Sequence, residues 1–486
     1  ETYLGLTDGD FRRQPLRRYA ASQRDVFDAS HRQYQARHFA VISPRLDLTT
    51  TARRNDFRRA WYKLESVMGT GLSAVLQRPA EFEAQYAVLT GSDSAAGALV
   101  VRNNSREYFS QGAQSTLGLQ ATLGVTRHKL EAGVRYLADQ EDRFQQDDAY
   151  RMAGGGMTLT RAGAPGSQTN QVVSASAWAF FVQDRIEWGR LSLVPGIRYE
   201  MIDLQRTDYA RTDPGRTTPV AVLDDSLNVV VPGLGASVRL GEAFDLVAGV
   251  HKGFAPPGPG ANTATRAEES VNYELGLRAH TRGLTAEATV FYNDYDNLLG
   301  RDTLASGGTG SGDQFNAGAV RVAGLEASVG YDFGEATGGA VALPVRASYT
   351  FTDAEFRSTF QSGFGPWGAV RAGDALPYVP RHQLFGSVGV QGGRWQFDLS
   401  AHYVGRMWTR AGQGEPLPAL STDTAFVVDA LGEYVLEGDA RTGRARVFAS
   451  VQNLADRRYV VGRHPAGARP GLPRTITAGV KLRLGR

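Results

Sequence analysis

The stretch Glu269-Ser270-Val271-Asn272-Tyr273-Glu274-Leu275-Gly276-Leu277-Arg278-Ala279-His280 splits its side chains by parity. Val271, Tyr273, Leu275, Leu277 and Ala279 fall on one side of an extended chain, and Ser270, Asn272, Glu274, Gly276, Arg278 and His280 on the other. Successive side chains of a strand point to opposite faces, so this segment needs oil on one face and water on the other. The same split recurs outward from it. Trp395, Phe397, Leu399, Ala401 and Tyr403 oppose Gln396, Asp398, Ser400 and His402, while Ile476, Ala478, Val480 and Leu482 oppose Thr475, Thr477 and Lys481.

A soluble β-sandwich also alternates, so length and connection pattern must decide between the two. Crossing about 30 Å of hydrocarbon at a tilt of about 45° takes roughly 9–11 residues, and these stretches reach that, whereas soluble strands run to about 5–6. Short turns are expected near Thr126-Arg127, Gly189-Arg190, Gly241-Glu242, Thr281-Arg282 and Gly392-Gly393. Between them lie long polar loops near 145–171, 207–227, 256–267, 298–318, 358–380, 409–421 and 457–472. Elaborate loops on one rim and tight turns on the other are the asymmetry of a transmembrane antiparallel up-and-down β-barrel, which is the all-β fold class expected here. Connections 333–343 and 438–444, on the short-turn rim, are longer and fit less well. Seventeen strands are predicted, beginning near residues 39, 56, 106, 129, 172, 191, 228, 244, 268, 283, 319, 344, 382, 394, 423, 445 and 473. Residues 1–6 read as the tail of one more, 7–38 as a polar, Arg-rich outer loop, and Leu72 to Leu89 as a short helix within another. No linker or second core interrupts 1–486, which reads as one domain.

Composition agrees. Of 486 residues 42% are hydrophobic, with 57 Gly, 19 Tyr, 22 Phe and 6 Trp, which suits many strands, tight turns and aromatic girdles. Absence of Cys removes disulfides and thiolate metal sites. The net charge of +3 is scattered along the chain, which argues against a nucleic-acid partner. No apolar run reaches the roughly 18 residues a membrane helix needs. The mean hydropathy of −0.30 is what strands give when only every second side chain meets lipid. Glu1 to Leu6 has no basic segment, apolar run or cleavage site of a signal peptide, so any leader was removed or lies upstream.

Four stretches then carry a resemblance. They are Val182-Gln183-Asp184 leading to Pro195-Gly196-Ile197-Arg198-Tyr199; His251-Lys252-Gly253-Phe254-Ala255-Pro256-Pro257; Glu268 to Gly276; and Val451-Gln452-Asn453-Leu454-Ala455-Asp456-Arg457-Arg458-Tyr459 before a last strand, Arg474 to Leu484. In order and spacing the chain resembles the barrel of TonB-dependent siderophore receptors, nearest the ferric-dicitrate branch. The resemblance implies a bacterial outer-membrane barrel of about 22 strands. Counting back from the last strand makes the one near residue 39 the sixth, descending. The first four strands, most of the fifth, the plug and the TonB box would then lie upstream. It also implies a monomer in lipid and lipopolysaccharide that binds and imports a ferric siderophore chelate, ferric citrate being one example, with TonB–ExbB–ExbD engaged through the N-terminal region. No cofactor is implied. The family's terminal aromatic residue is replaced here by Leu484-Gly485-Arg486.

No Gly-x-Ser-x-Gly, His-Glu-x-x-His or phosphate-loop motif is present, so no catalytic or metal site is assigned. Ser400 and His402 share one face at a spacing a barrel hydrolase could use, but polar residues line any water-filled lumen. Asn293-Asp294-Tyr295-Asp296-Asn297 lacks the glycine of a calcium loop and reads as a solvated strand end. Function is expected in the outer loops, which hold Arg12, Arg13, Arg17, Arg18, Arg151, Arg161, Arg266, Arg301, Arg371, Arg463 and Arg469. Guanidinium pairs carboxylate bidentately, which suits an anionic chelate. Arg151, Arg161, Arg266, Arg301 and Arg463 are the candidate contacts, with Tyr108, below the loop at 91–105, available to stack on ligand. The same loop arginines could instead meet lipopolysaccharide phosphates or water. Tyr108, Phe109, Trp178, Trp188, Tyr292, Tyr295, Trp395, Trp408 and Tyr434 lie near strand ends, where amphipathic rings settle at headgroup level. The alternative function is a passive diffusion porin, closed on itself, for which residues 1–6 would pair with 473–484.

Overall fold

Once every stretch has an oily and a watery face, its backbone groups must still be paired, and within a bilayer only a neighbouring strand can pair them. The computed structural model does so with one large antiparallel sheet and describes residues 4–258, 261, 265–302, 314–334, 340–436 and 444–483. The sheet has 19 strands, of which Thr70–Gly71 and Gly156–Arg161 are short additions. The other seventeen form the barrel wall. They are β1 (Val26–Ser43), β2 (Leu46–Val67), β3 (Leu99–Leu123), β4 (Thr126–Ala153), β5 (Thr169–Trp188), β6 (Leu191–Tyr209), β7 (Pro219–Arg239), β8 (Phe244–Ala255) and β9 (Glu268–Thr281), followed by β10 (Leu284–Asn297), β11 (Val320–Asp332), β12 (Pro344–Phe356), β13 (His382–Gly392), β14 (Trp395–Val404), β15 (Ala425–Val435), β16 (Arg444–Gln452) and β17 (Thr475–Arg483). Each bonds to the next in sequence. The count of seventeen agrees with the reading of the sequence, and β1 descends to the short-turn rim as parity requires. The tight turns need left-handed backbone, supplied by Gly124 (φ 59°), Gly189 (φ 58°), Gly283 (φ 75°) and Gly393 (φ 51°). Of the expected connection at 333–343, residues 335–339 lie outside the described residues, as does nearly all of 438–444.

Outward faces are apolar as expected. Trp178 packs on Tyr136 (ring centroids 4.9 Å apart) and Tyr273 on Tyr292 (6.4 Å) towards the loop rim, and Trp188, Trp395 and Tyr434 are exposed near the turn rim. Tyr295 and Trp408 depart from the girdle expectation. Tyr295 packs against an apolar cluster among the loops, and Trp408 bridges to Ser421.

The main correction is where strands end. Residues 7–38 are not one loop, since a helix, α1 (Asp8–Arg13), and a 3-10 turn, Ala20–Ser22, precede β1, which starts at Val26. β2 starts at Leu46 and β3 at Leu99, well before the predicted starts, and β6 and β7 leave only 210–218 of the expected 207–227 loop. Beyond the bilayer both faces of a strand meet water, so alternation fades while the hydrogen-bond ladder continues. The predicted helix at 72–89 is two, α2 (Leu72–Gln77) and α3 (Glu83–Thr90).

Apolar cores occur at the loop rim. One gathers Leu4, Leu6, Tyr19 and Ala21 onto Leu72, Val75, Val88, Leu89 and Met152; the other gathers Phe356, Phe364, Trp367 and Val370 around Val320. Among the described residues β1 and β17 are each paired on one side only. Leu6 bridges Ala468, in the loop before β17, rather than β17 itself, so the pairing that self-closure needs is not the one formed.

Candidate functional site

The strand register fixes which side chains share a row. Arg59 of β2 lies opposite Arg106 of β3, and Arg106 opposite Arg143 of β4, so three guanidinium groups occupy one row of the inner wall. The row below runs Phe57, Tyr108, Glu141. The path along β2 from Leu46 to Arg59 corresponds to roughly 30 Å of height, at about 3.3 Å per residue and about 45° of tilt. The row therefore sits at the outer mouth, above the apolar belt.

Like charges placed directly opposite one another destabilise a sheet, so the row must be offset by something else. Glu141 accepts from Arg106 Nη1 and lies 4.0 Å from Arg143 Nε. Tyr108 Oη accepts from Arg59 Nε and Nη2 at 3.2 and 3.1 Å. Asn104 Oδ1 accepts from Arg106 Nε and from Gln145 Nε2, both at 2.9 Å. Arg143, 5% exposed, donates to Gln171 Oε1 at a long 3.4 Å, and its Nε is buried without a hydrogen-bond partner. Two positions before Asn104, Arg102 by contrast is held by Asp147 (2.8 and 2.9 Å) and Glu65 (2.9 Å). Arg102 and its buried neighbour Lys63 draw on two carboxylates, Asp147 and Glu65, whereas the row shares one among three arginines.

The six predicted contacts divide. Tyr108 and Arg301 come together: Arg301, in a short hairpin after β10, reaches the wall with its Nη2 3.8 Å from Glu141 Oε2. Arg151 and Arg161 are exposed on the rim hairpin beyond Arg143. Arg266 is exposed too, 3.3 Å from Asp296, while Asp294 pairs with Arg357 at 3.2 Å, so the acidic strand end is matched by arginines. Arg463 is committed to structure. It donates to Asp8 Oδ1 (2.8 Å), the Ser421 carbonyl (2.7 Å) and the Pro418 carbonyl (2.8 Å), fastening the N-terminal segment to two loops. Ser400 faces Asp429 in register, and His402 Nε2 lies 3.7 Å from Asp429 Oδ2. Reading the sequence did not find Arg59, Arg106, Arg143 or Glu141. Each is one polar residue in a polar half-face, and only the register aligns them.

Among the loops lies a cavity of about 960 Å³ lined by Arg17, Arg18, Trp367, Tyr378, His464 and Arg469 among others, and by no residue of the row. Leu298 also lines it, three residues before Arg301, so this hairpin segment runs from the cavity to the wall. Burial, reinforced by the charge of Arg410, pushes the His464 imidazole down to about 4. At the cavity edge the Asp10 carboxylate is 1% exposed. Burial opposes its charge, but hydrogen bonds from Tyr86, Tyr19, Arg13 and Thr7 outweigh that and hold its pKa at about 2.

A family model described as TonB dependent receptor-like, beta-barrel, matches residues 2–454. Among solved structures, the ferric citrate transporter FecA in its unliganded form is 18% identical, with a TM-score of 0.73 over 98% of this chain and 64% of that one. The ferric-catecholate import receptor Fiu of E. coli K12, closed form, is 17% identical (TM-score 0.70; 99% and 68%). The siderophore receptor PiuA of Acinetobacter baumannii is 14% identical (TM-score 0.72; 94% and 65%). At such identities the likeness speaks to the fold alone. The chain spans 64% of the FecA chain it matches.

Proposed function

We propose, from the premise that this chain belongs to the TonB-dependent receptor-like β-barrel family of the bacterial outer membrane, that it binds an anionic ferric chelate at its outer mouth for import. The carrying observation is the Arg59–Arg106–Arg143 row, with one carboxylate for three guanidinium groups and a buried donor nitrogen left over. A ligand presenting several carboxylates or similar oxygens in one plane supplies the acceptors the wall lacks, and arginine binds them bidentately. Ferric citrate is the specific ligand we favour, because its several carboxylates match the guanidinium row. Translocation is driven by TonB–ExbB–ExbD acting through a region N-terminal to these strands, in a monomer surrounded by lipid and lipopolysaccharide. The porin reading has less support, since Leu6 pairs with Ala468 and the described ends of the sheet do not meet.

The test is uptake of iron-labelled ferric citrate by cells carrying the full-length gene, with and without TonB, alongside a variant with Arg59, Arg106 and Arg143 all changed to Gln. Uptake should require TonB and fall at least about tenfold in the variant. Uptake indifferent to TonB would overturn the transport reading, and unchanged uptake by the variant would overturn the site.

A further inference from the structure

We infer that Arg37, Arg53 and Arg135 form a second anion station inside the lumen, below the mouth row, which takes over a polyanionic chelate and keeps its passage on the wall built by β1–β6. The inference rests on the proposed import of an anionic chelate and adds to it the residues that decide the route.

Register again brings the groups together. Arg53 of β2 lies opposite Gln35 of β1 and Gly112 of β3. One inward-facing position lower, a row runs Arg37, Thr51, Gln114, Arg135 from β1 to β4. Arg53 is six residues below Arg59 and Arg135 eight below Arg143, which places them roughly 14 and 19 Å beneath the mouth row, at about 3.3 Å per residue and about 45° of tilt. Gly112, the β3 residue between Arg53 and the strand of Arg135, has no side chain to part them.

The charges here are not matched. Arg53 and Arg198 lie near enough to Arg135 to repel it, and Glu200 near enough to attract it. Glu200 is itself engaged, accepting from Arg198 Nε at 2.5 Å. Among the described residues Arg37, Arg53 and Arg135 make no hydrogen bond or ion pair. The nearest carboxylates on the inner face of β4, Asp139 and Glu131, stand four residues to either side of Arg135, roughly 13 Å along the strand and beyond a screening length of about 8 Å. Unmatched like charges destabilise a sheet, and in a lumen walled by a low dielectric they concentrate anions.

The opposite wall has the opposite sign. Glu274 of β9 and Glu326 of β11 lie on its inner face, exposed and, among the described residues, without a hydrogen bond or ion pair. An anion is therefore drawn to β1–β6 and turned away from β9–β11. Towards the turn rim the basic wall continues with Lys129 opposite Arg185, and Glu187 lies 3.4 Å from both Lys129 and Arg127. Mouth row, station and rim cations make successive steps down one wall. Dividing attraction over several sites lets a charged pore admit an ion and still release it.

The experiment uses the full-length receptor in cells, with iron-labelled ferric citrate and a trianionic ferric tris-catecholate as probes. The double variant Arg53→Gln, Arg135→Gln is compared with wild type for binding to energy-depleted cells and for TonB-dependent uptake rate per bound ligand. Binding affinity and capacity should stay within about twofold, which also reports assembly, while the uptake rate falls about tenfold, the worth of one charge-assisted hydrogen bond. Arg53→Lys with Arg135→Lys, which keeps the charges, should recover most of the rate. Arg37→Gln, at an exposed side chain, should lower the rate about threefold and covers the case in which the double variant does not assemble. Undiminished uptake by the Gln variants, in a receptor whose wild type imports either probe, overturns the station and leaves the mouth site standing. A lost rate accompanied by TonB-independent entry of a bulky peptide antibiotic also overturns it, because the arginines are then holding the N-terminal plug. If the wild type imports neither probe, the anionic-chelate reading falls and the station with it.

Discussion

Replacing Asp10 by Asn should unfasten the N-terminal segment from the barrel mouth without disturbing the wall. The carboxylate joins three pieces of chain. Oδ2 accepts from Thr7 Oγ1 (3.0 Å), Tyr19 Oη (2.7 Å) and Tyr86 Oη (2.5 Å), and Oδ1 from Arg17 (2.9 Å) and Arg13 (3.1 Å). Thr7 also caps α1 through the Asp10 amide at 3.0 Å. Asn keeps the shape but turns one acceptor oxygen into a donor facing hydroxyl groups. Each of the two tyrosine bonds loses its charge assistance, about 1 kcal/mol apiece. The two ion pairs, to arginines partly in water, add about 0.5 kcal/mol each. The sum of about 3 kcal/mol makes local opening roughly a hundredfold more frequent. Hydrogen exchange of peptides covering 4–25 and 83–90 should speed up by that factor, while β5 and β6 exchange as before. Exchange within about threefold of wild type would refute the hub. The pH dependence has a definite sign: a depressed carboxyl stabilises the cap above its ordinary value of 3.8, and that contribution is lost as pH falls towards about 2.

His464 gives the same sign at milder pH, although here it is the neutral form that the fold requires. Its folded value of about 4 lies below the free imidazole's 6.5, so between those limits the unfolded loop takes up a proton that the folded one refuses. Limited proteolysis of 457–472 should therefore accelerate from about pH 7 to about pH 5, and His464→Gln should flatten that difference; an equal slope in both proteins would count against it. Asn453 is 2% exposed with φ 51°, and its side chain donates to the Arg457 and Leu472 carbonyls (3.0 and 2.9 Å) and accepts the Arg457 amide (2.8 Å). Asn453→Ala strands these groups and adds left-handed strain, about 3 kcal/mol in all, and should expose 453–474 to protease while the barrel keeps its heat-resistant mobility on gels. Resistance equal to wild type would show that the turn does not depend on them.

The Asn453 motif shows how much a short stretch can specify. Val451 to Tyr459 was readable as a family marker, and its residues do local work: Asn453 ties the turn, and Asp456 holds the Arg474 amide at 3.1 Å to launch the last strand. Sidedness and strand number were readable for a similar reason. Alternation in Glu269–His280 is a property of neighbours in sequence, and lipid acts on each strand independently of the others. Strand ends were not readable where the wall rises into water. In residues 26–38 charged side chains occupy both faces, and no solvent contrast remains to leave a pattern.

The site belongs to a different level. From sequence the arginines of the loops looked functional because loops are where arginines stand out, yet Arg463 is spent on fastening chain segments and Arg151, Arg161 and Arg266 point to solvent. Arg59, Arg106 and Arg143 looked like ordinary wall residues. Sequence alone determined that the chain alternates between oil and water along stretches long enough to cross a bilayer, joined by long connections on one rim and tight turns on the other, and hence that it is a membrane barrel. Only the tertiary structure placed three guanidinium groups in one row with a single carboxylate, because register is set by pairing between strands dozens of residues apart, and a slip of one position would turn every one of those side chains to the other face.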